Sequence, residues 1–191
     1  GSDDVERAII AAERKLGLDV EIVRTGSRGL FWLEPMIEVE TPAGRVAYGP
    51  VKPQDVARLF DVGWLDGRPD GLRLGRPEEI PFLKRQTRFT FGRCGIVEKL
   101  SLADYRAHGG LLGLVRALSL GPSGLVEEVT KSGLRGRGGA GFPTGLKWKT
   151  TAEAQAAQKY IVCNADEGDS GTYADRMLME GDPLCLTEGM A

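Results

Sequence analysis

The sequence predicts an α/β protein made of two parts joined by a linker. Three observations carry that expectation. Residues 1–61 run through helix, strand, hairpin and helix patterns in turn. Residues 62–80, VGWLDGRPDGLRLGRPEEI, are rich in glycine, proline and charge, the composition of a connector lying along a surface. The remainder holds a glycine-dense run, Ser132–Trp148, set between an amphipathic helix pattern and an apolar strand pattern. These readings divide the chain into 1–61, a linker over 62–92, and 93–191.

Residues 3–16 read as a helix. Val5, Ile9, Ile10, Ala12 and Leu16 form its apolar stripe, Asp3 and Asp4 sit at its positive end, and Gly17 stops it. Val20–Val23 reads as a strand, residues 26–35 as a loop, Met36–Glu40 as a strand, Pro42-Ala43-Gly44 as a turn and Arg45–Tyr48 as the returning strand. A helix over 53–61 turns Val56, Leu59 and Phe60 inward. In the linker, Trp64 and Leu65 are large apolar groups that would anchor it to a domain face. Residues 83–97 look extended and basic. Ser101 and Asp104 open a helix in an arrangement like a capping box, and Gly109 closes it. Leu111–Leu118 forms a short helix, Leu120-Gly121-Pro122 breaks it, and Ser123–Lys131 resumes with Leu125, Val126 and Val129 on one face. Beyond the glycine run, residues 150–158 are helical or exposed. Lys159–Ala165 reads as a core strand, because Tyr160, Ile161 and Val162 have strong strand preference. Asp182-Pro183 marks a helix cap and first helical position.

A chain of 191 residues holds one medium domain or two small ones. With 41% hydrophobic and 27% charged residues it is expected to be soluble and globular. A net charge of −2 gives no reason to expect nucleic acid or an anionic membrane as partner. The apolar runs fall far short of a membrane span. The opening GSDDVERAII has no basic lead and no long apolar stretch, so no signal peptide is expected. Cys94, Cys163 and Cys185 are odd in number and form no CxxC pair, which fits a reducing cytoplasm rather than a disulfide framework. Three scattered cysteines cannot supply the four thiolates of an ordinary iron–sulfur cluster, and no metal site is expected. His108 sits at a helix end, where it suits the dipole better than it suits catalysis.

The glycine run carries the chemistry. Glycines at 133, 136, 138, 139, 141 and 145 leave the backbone bare, so its N–H groups can approach a phosphate without an intervening Cβ. Successive amides form an anion-binding nest, and a following helix N-terminus adds its dipole. Arg135, Arg137 and Lys147 add full positive charge, and Phe142 could lie flat against a planar ring. The pattern suits a loop for a phosphorylated aromatic cofactor. The competing readings are a flexible Gly/Arg linker or an RNA-binding tail, but the run occurs once and between structured elements. Asp166, Glu167 and Asp169 follow the apolar strand pattern, at the strand end where open α/β sheets bind ligands. The plainer alternative there is a solvated acidic turn.

SGLRGRGGAGFPTGLKW, followed by KYIVCNADEGDSGTYADRMLMEGDP, closely resembles the NADH- and FMN-binding subunit family of respiratory complex I. The same module occurs in diaphorase subunits of NAD-reducing hydrogenases and of NAD-dependent formate dehydrogenases. The resemblance covers about residues 93–191. It implies the front part of a Rossmann-like FMN/NADH-binding domain. It implies FMN contacts from Arg137, Gly138, Lys147, Asn164, Asp166 and Glu167, in a loop that Gly136 opens. It implies part of an NAD(H) path along Gly139, Ala140, Gly141 and Phe142. Hydride exchange between nicotinamide and flavin needs no protein nucleophile; Lys147 would bond the ring edge, and Glu167 would tune nicotinamide binding.

A weaker resemblance over 1–61 is to the C-terminal half of the thioredoxin-like ferredoxin that accompanies complex I. Ser27 and Phe31 stand where that family carries two cluster-binding cysteines, so a docking scaffold without a cluster is expected; an unrelated small helix-and-hairpin unit is the alternative. Thr150 replaces the family's usual adenine-stacking aromatic, and Asp169-Ser170 replaces Glu-Pro. Together with Lys149, these departures resemble the beta subunit of cytoplasmic NAD-dependent formate dehydrogenase. That branch implies a molybdenum-containing alpha subunit and a 2Fe–2S ferredoxin-like gamma subunit as partners. A hydrogenase diaphorase, the complex I subunit itself and a non-catalytic docking fragment are the alternatives. The family's flavin domain continues past the position of Ala191 and is followed by a helical bundle with a 4Fe–4S cluster, so a longer subunit is expected.

Overall fold

A computed structural model describes residues 1–191 as two units, Gly1–Ile96 and Val97–Ala191. In the first, helix α1 (Ser2–Leu16) has Asp3 and Asp4 in its first turn and Arg14 and Lys15 in its last, each complementing the dipole. Gly17 closes it at φ 66°, a left-handed conformation that favours glycine. Val5 and Ile9 are its buried residues. The expected strand over 20–23 does not form. Arg24 ties this stretch to α1 through Asp3 (2.9 Å) and Glu6 (2.5 Å), and Ile22 packs on the core, so the backbone takes no place in a ladder.

Strands β1 (Ile37–Thr41) and β2 (Gly44–Tyr48) pair antiparallel from Ile37↔Tyr48 to Thr41↔Gly44, leaving Pro42-Ala43 as the turn. The 62–80 stretch differs from the expected surface connector. Its Arg73–Gly75 segment, β3, pairs antiparallel with β2 and completes a three-stranded sheet in the order β1-β2-β3. Trp64 is 2% exposed and belongs to the core. Glycine and proline set the turns on either side of β3, and the apolar Trp64, Leu65 and Leu72 between them supply the burial.

Side-chain alternation covers the sheet on both faces. Val39, Val46 and Tyr48 face one cluster with α1 and helix α2 (Val56–Asp61), whose Val56 and Leu59 are buried. Ala47 faces a smaller cluster with Leu30, Ile80 and Leu83, the last on helix α3 (Pro81–Lys84). Arg28 is buried and forks onto the Glu38 carboxylate, with Arg45 at 3.6 Å from the same acid. Ser27 Oγ accepts the Gly29 N–H (2.8 Å) and donates to Glu34 (2.5 Å), so it shapes its loop as a turn residue. Among the described residues no cluster of three or more His, Cys, Asp or Glu could hold a metal ion.

The second unit is helical. Helix α4 (Leu102–Ala107) starts where Ser101 Oγ accepts the Asp104 N–H (3.2 Å). Asp104 accepts from the Glu98 N–H (2.7 Å) instead of closing the box on Ser101. Helix α5 (Leu112–Ser132) is broken at Gly121 (φ 69°, ψ 174°), just before Pro122, as the sequence predicts. Arg116 and Glu128 pair across the break at 2.9 Å. Twelve residues of straight helix would span about 18 Å, so the break folds the two arms toward each other. Helices α6 (Thr144–Glu153), α7 (Ala174–Gly181) and α8 (Pro183–Met190) follow. Asp182, 1% exposed, caps α8 by accepting the Cys185 N–H at 3.3 Å.

Lys159–Ala165 is a correction to the expected core strand. Tyr160, Ile161 and Val162 are 79%, 68% and 84% exposed, and none lies in a strand. Strand preference is realised only against a ladder partner, and residues 97–191 pair backbone only at the isolated Arg135↔Pro143 bridge. The fold is therefore mixed helix and small antiparallel sheet, compatible with the expected α/β class. No helix is long and apolar enough to cross a membrane.

One carboxylate joins three of these helices. Glu188 of α8 accepts the Leu111 N–H (2.7 Å), the Leu114 N–H (2.9 Å) and the Tyr105 hydroxyl of α4, so it caps α5 from across the unit. Desolvation opposes its charge, but the Tyr105 hydroxyl and the N–H groups of Leu114, Leu111 and Gly113 outweigh that and hold its carboxyl below the ordinary value of 4.5. A carboxyl whose folded pKa lies below its unfolded one stabilises the fold above the unfolded value and loses that stabilisation as pH falls through the folded value. Glu188→Gln should lower stability by about 1–2 kcal/mol at pH 7. The loss should shrink as the pH falls below about 4.5, toward the folded pKa. Urea unfolding of both proteins across that range checks it; a pH-independent difference would contradict the account.

Candidate functional site

The glycine run begins where α5 ends. Gly133 caps that helix at φ 68°, donating to the Thr130 carbonyl at 3.2 Å. From there the backbone folds back on itself. Thr144 N–H donates to Leu134 O (2.9 Å), Gly136 N–H donates to Phe142 O (2.8 Å), and Arg135 and Pro143 form a bridge between those two bonds. The tip, residues 137–141, turns through Gly139 (φ 105°) and Gly141 (φ 60°). Arg135 Nη1 reaches across to the Gly141 carbonyl at 2.7 Å.

The tip presents bare amides. Among the described residues, no acceptor in the chain takes the N–H groups of Arg137, Gly138, Gly139, Ala140 or Gly141. A Cβ built on Gly138, Gly139 or Gly141 would meet nothing within 4 Å, so these backbones face open space. A cleft of about 530 Å³, bounded by residues 132–137 and Gly141, opens beside them. Phe142 is 51% exposed at its edge of the loop.

Helix α6 starts directly after the loop, with Pro143 at its cap and Lys147 in its first turns. Its position is set by Gly145. A Cβ there would sit 2.4 Å from Thr130 Oγ1 and 2.5 Å from Thr130 Cα, so α6 lies on α5 at a distance only glycine allows. Charge is distributed unevenly around the loop. Lys131 pairs with Glu127 (2.7 Å) and Lys149 with Glu153 (3.9 Å). Arg137 and Lys147 form no ion pair among the described residues, and their charge is free for an anion.

The acids lie in a second loop, ahead of α7 rather than at a strand end. Asn164 Oδ1 accepts the Asp166 N–H at 3.0 Å. Glu167 adopts φ 54° and caps α7, accepting from the Thr172 hydroxyl (2.9 Å) and the N–H groups of Asp175 (3.2 Å) and Arg176 (3.3 Å). Desolvation acts against its charge, but these donors and the Ala174 N–H hold its carboxyl below the ordinary range. That capping role is new relative to the sequence reading. The spacing of Glu167 to α7 is too long for a capping-box signature, and only the folded turn closes it. Thus Gly136, Arg137, Gly138, Gly139, Ala140, Gly141, Phe142 and Lys147 come together on one loop and the helix it opens. Asn164, Asp166 and Glu167 share the other loop and do not line the cleft.

Residues 129–191 match the family described as the Nuo51 FMN-binding domain. The chain is 49% identical over 108 residues to the NADP-reducing hydrogenase subunit HndC of Solidesulfovibrio fructosivorans, covering 56% of this chain and 22% of that one. It is 48% identical over 91 residues to an NADH-quinone oxidoreductase subunit of Escherichia coli, covering 47% of this chain and 20% of the relative. These matches, all over part of the chain, are to the complex I 51-kDa-type family. A further relative is the alpha subunit of the NAD-reducing hydrogenase HoxS of Cupriavidus necator, 49% identical over 77 residues, 40% of this chain and 13% of that one. The chain spans about a fifth of the length of the first two of these curated relatives. The glycine loop and the acid-bearing loop both fall inside the segment matched to that family model.

Gly145→Val should destabilise the α5–α6 pair by about 1–3 kcal/mol, the usual cost of overpacking, while Gly138→Ala, which faces open space, should cost well under 1 kcal/mol. Thermal or urea unfolding of the two variants checks the contrast; equal effects would contradict the close approach at Gly145.

Proposed function

We propose that the glycine loop binds the phosphate of FMN and that the protein is the flavin-bearing subunit of an NAD(H)-dependent oxidoreductase. The observation that carries the reading is the run of five consecutive amides, Arg137–Gly141, with no acceptor in the chain, beside two cations without ion-pair partners. Backbone donors, an arginine, a lysine and a helix N-terminus are the donor set that a phosphate monoester needs. The open space at Gly138, Gly139 and Gly141 lets the phosphate oxygens reach those amides. FMN, when bound, supplies a hydride-exchanging ring that can release electrons singly.

The residues of this chain bind and orient. The 137–141 amides and Arg137 hold the phosphate, and Gly136 with Gly138 keeps the turn tight enough for that contact. Lys147 would donate to the edge of the flavin ring and place its positive charge there. Asn164 and Asp166, on the second loop, would supply the polar groups for the ribityl hydroxyls. Gly139, Ala140, Gly141 and Phe142 form part of the NAD(H) approach, Phe142 offering its exposed face to a planar ring. Glu167, anionic and fixed on α7, sets the local charge met by the nicotinamide. Orientation of this kind is the main contribution a protein makes to hydride exchange.

In its finer form the reading is the beta subunit of a cytoplasmic NAD-dependent formate dehydrogenase. Thr150 and Asp169-Ser170 support this branch. The partners would be a molybdenum-containing alpha subunit and a 2Fe–2S ferredoxin-like gamma subunit, and a 4Fe–4S cluster would lie in a further part of the same subunit. Residues 1–61 would serve as a thioredoxin-like docking scaffold without a cluster. The 56% coverage by a hydrogenase subunit favours a second reading, a diaphorase subunit of an NAD(P)-reducing hydrogenase.

Lys147→Ala in the full-length subunit should weaken FMN binding tenfold or more, since a charge-assisted hydrogen bond contributes about 1.5–3 kcal/mol. Flavin content after desalting and the NADH–ferricyanide rate check it, and unchanged values in both would refute the assigned role. Formate-dependent against hydrogen-dependent NAD reduction by the purified complex separates the two finer readings.

A further inference from the structure

We infer that Arg135 is a positioning residue whose guanidinium clamps the glycine loop into its anion-binding shape, rather than a direct ligand of the bound phosphate. The inference rests on the flavin reading above. Three cations surround this loop, and they are not equivalent. Arg137 and Lys147 carry no ion pair among the described residues, whereas Arg135 Nη1 is engaged with the Gly141 carbonyl at 2.7 Å. That bond starts between two backbone rungs, Gly136 N–H to Phe142 O and Thr144 N–H to Leu134 O, and ends outside them. It closes the tip one residue beyond the last rung, at a point where Gly141, at φ 60°, can turn its carbonyl inward.

The need for such a clamp follows from composition. Gly136, Gly138, Gly139 and Gly141 lose more backbone entropy on ordering than any other residue type. Residues 137–141 have no internal hydrogen bond to offset that loss. A loop that must be ordered at the moment of binding gives weaker affinity than one ordered beforehand. Arg135 orders the tip without occupying any of its five free amides, because it bonds a carbonyl.

Two measurements on the full-length subunit separate clamp from ligand. In the FMN-free protein, Arg135→Met should raise amide hydrogen exchange at Gly136 and Thr144 on the order of fivefold, the equivalent of one modest hydrogen bond. Arg137→Met should leave those two amides unchanged. In FMN titrations followed by fluorescence quenching, both variants should bind more weakly, and Arg135→Lys, which keeps a charged N–H donor, should recover part of the affinity and the exchange protection. Unchanged exchange in Arg135→Met together with weaker FMN binding would overturn the inference and make Arg135 a direct phosphate contact. Unchanged exchange and unchanged binding would overturn it outright. A wild-type subunit with no affinity for FMN would sink the flavin reading instead, while the exchange data would still judge the clamp.

Discussion

The close approach of α6 to α5 at Gly145 is the constraint on which the site depends. With Thr130 Oγ1 only 2.4 Å from where a Cβ would be, the second helix is seated against the first one turn after the loop ends. The loop must then span from Gly133 to Pro143 over a fixed gap, and the Leu134–Thr144 and Gly136–Phe142 rungs record how it does so. Because both anchors are helix ends, the tip is held by regular structure while its own amides stay free. The α6 N-terminus follows two residues after those amides in the chain.

The two units reach stability by different routes. In Gly1–Ile96 both apolar clusters sandwich the three-stranded sheet, with Tyr48, Val51, Leu59 and Leu30 fully buried. In Val97–Ala191 none of the α5 residues is buried, and order comes from polar caps. Glu188 caps α5, Asp182 caps α8 and Glu167 caps α7. Capping bonds satisfy orphan amides at modest gain each, and the Glu167 and Glu188 carboxyls are held below their ordinary value by the donors they accept from. The exposed Tyr160–Val162 run and the exposed Leu112, Val115 and Leu118 show how much apolar surface it leaves uncovered.

Local chemistry was the legible part of the sequence. The glycine loop, the cap at Gly17, the break at Gly121-Pro122 and the cap at Asp182 are each decided by residues within a few positions, so composition alone reveals them. What depended on distant partners was not legible. Tyr160–Val162 has every local preference for a strand and no ladder partner. Residues 62–80 have the composition of a connector and Trp64 anchors the stretch as its size suggests, yet Arg73–Gly75 also pairs with β2, which no local signal shows. Glu188 acts on Leu111 and Leu114 from more than seventy positions away, and no periodicity signals that. Among the site residues, the shared placement of Gly136–Phe142 and Lys147 was readable from spacing. The engagement of Glu167 with α7 was not, because the turn at Thr172 that closes it appears only in the fold.

The central claim is that the amides of residues 137–141 form a prepared anion receptor. The most direct measurement is an amide chemical-shift titration of the isotopically labelled protein, first with inorganic phosphate and then with FMN. The account predicts that the Arg137–Gly141 amides shift most in both titrations, downfield as they gain an acceptor, while amides already bonded within α5 and α6 stay near their starting positions. Binding of FMN with the 137–141 amides unmoved would contradict it.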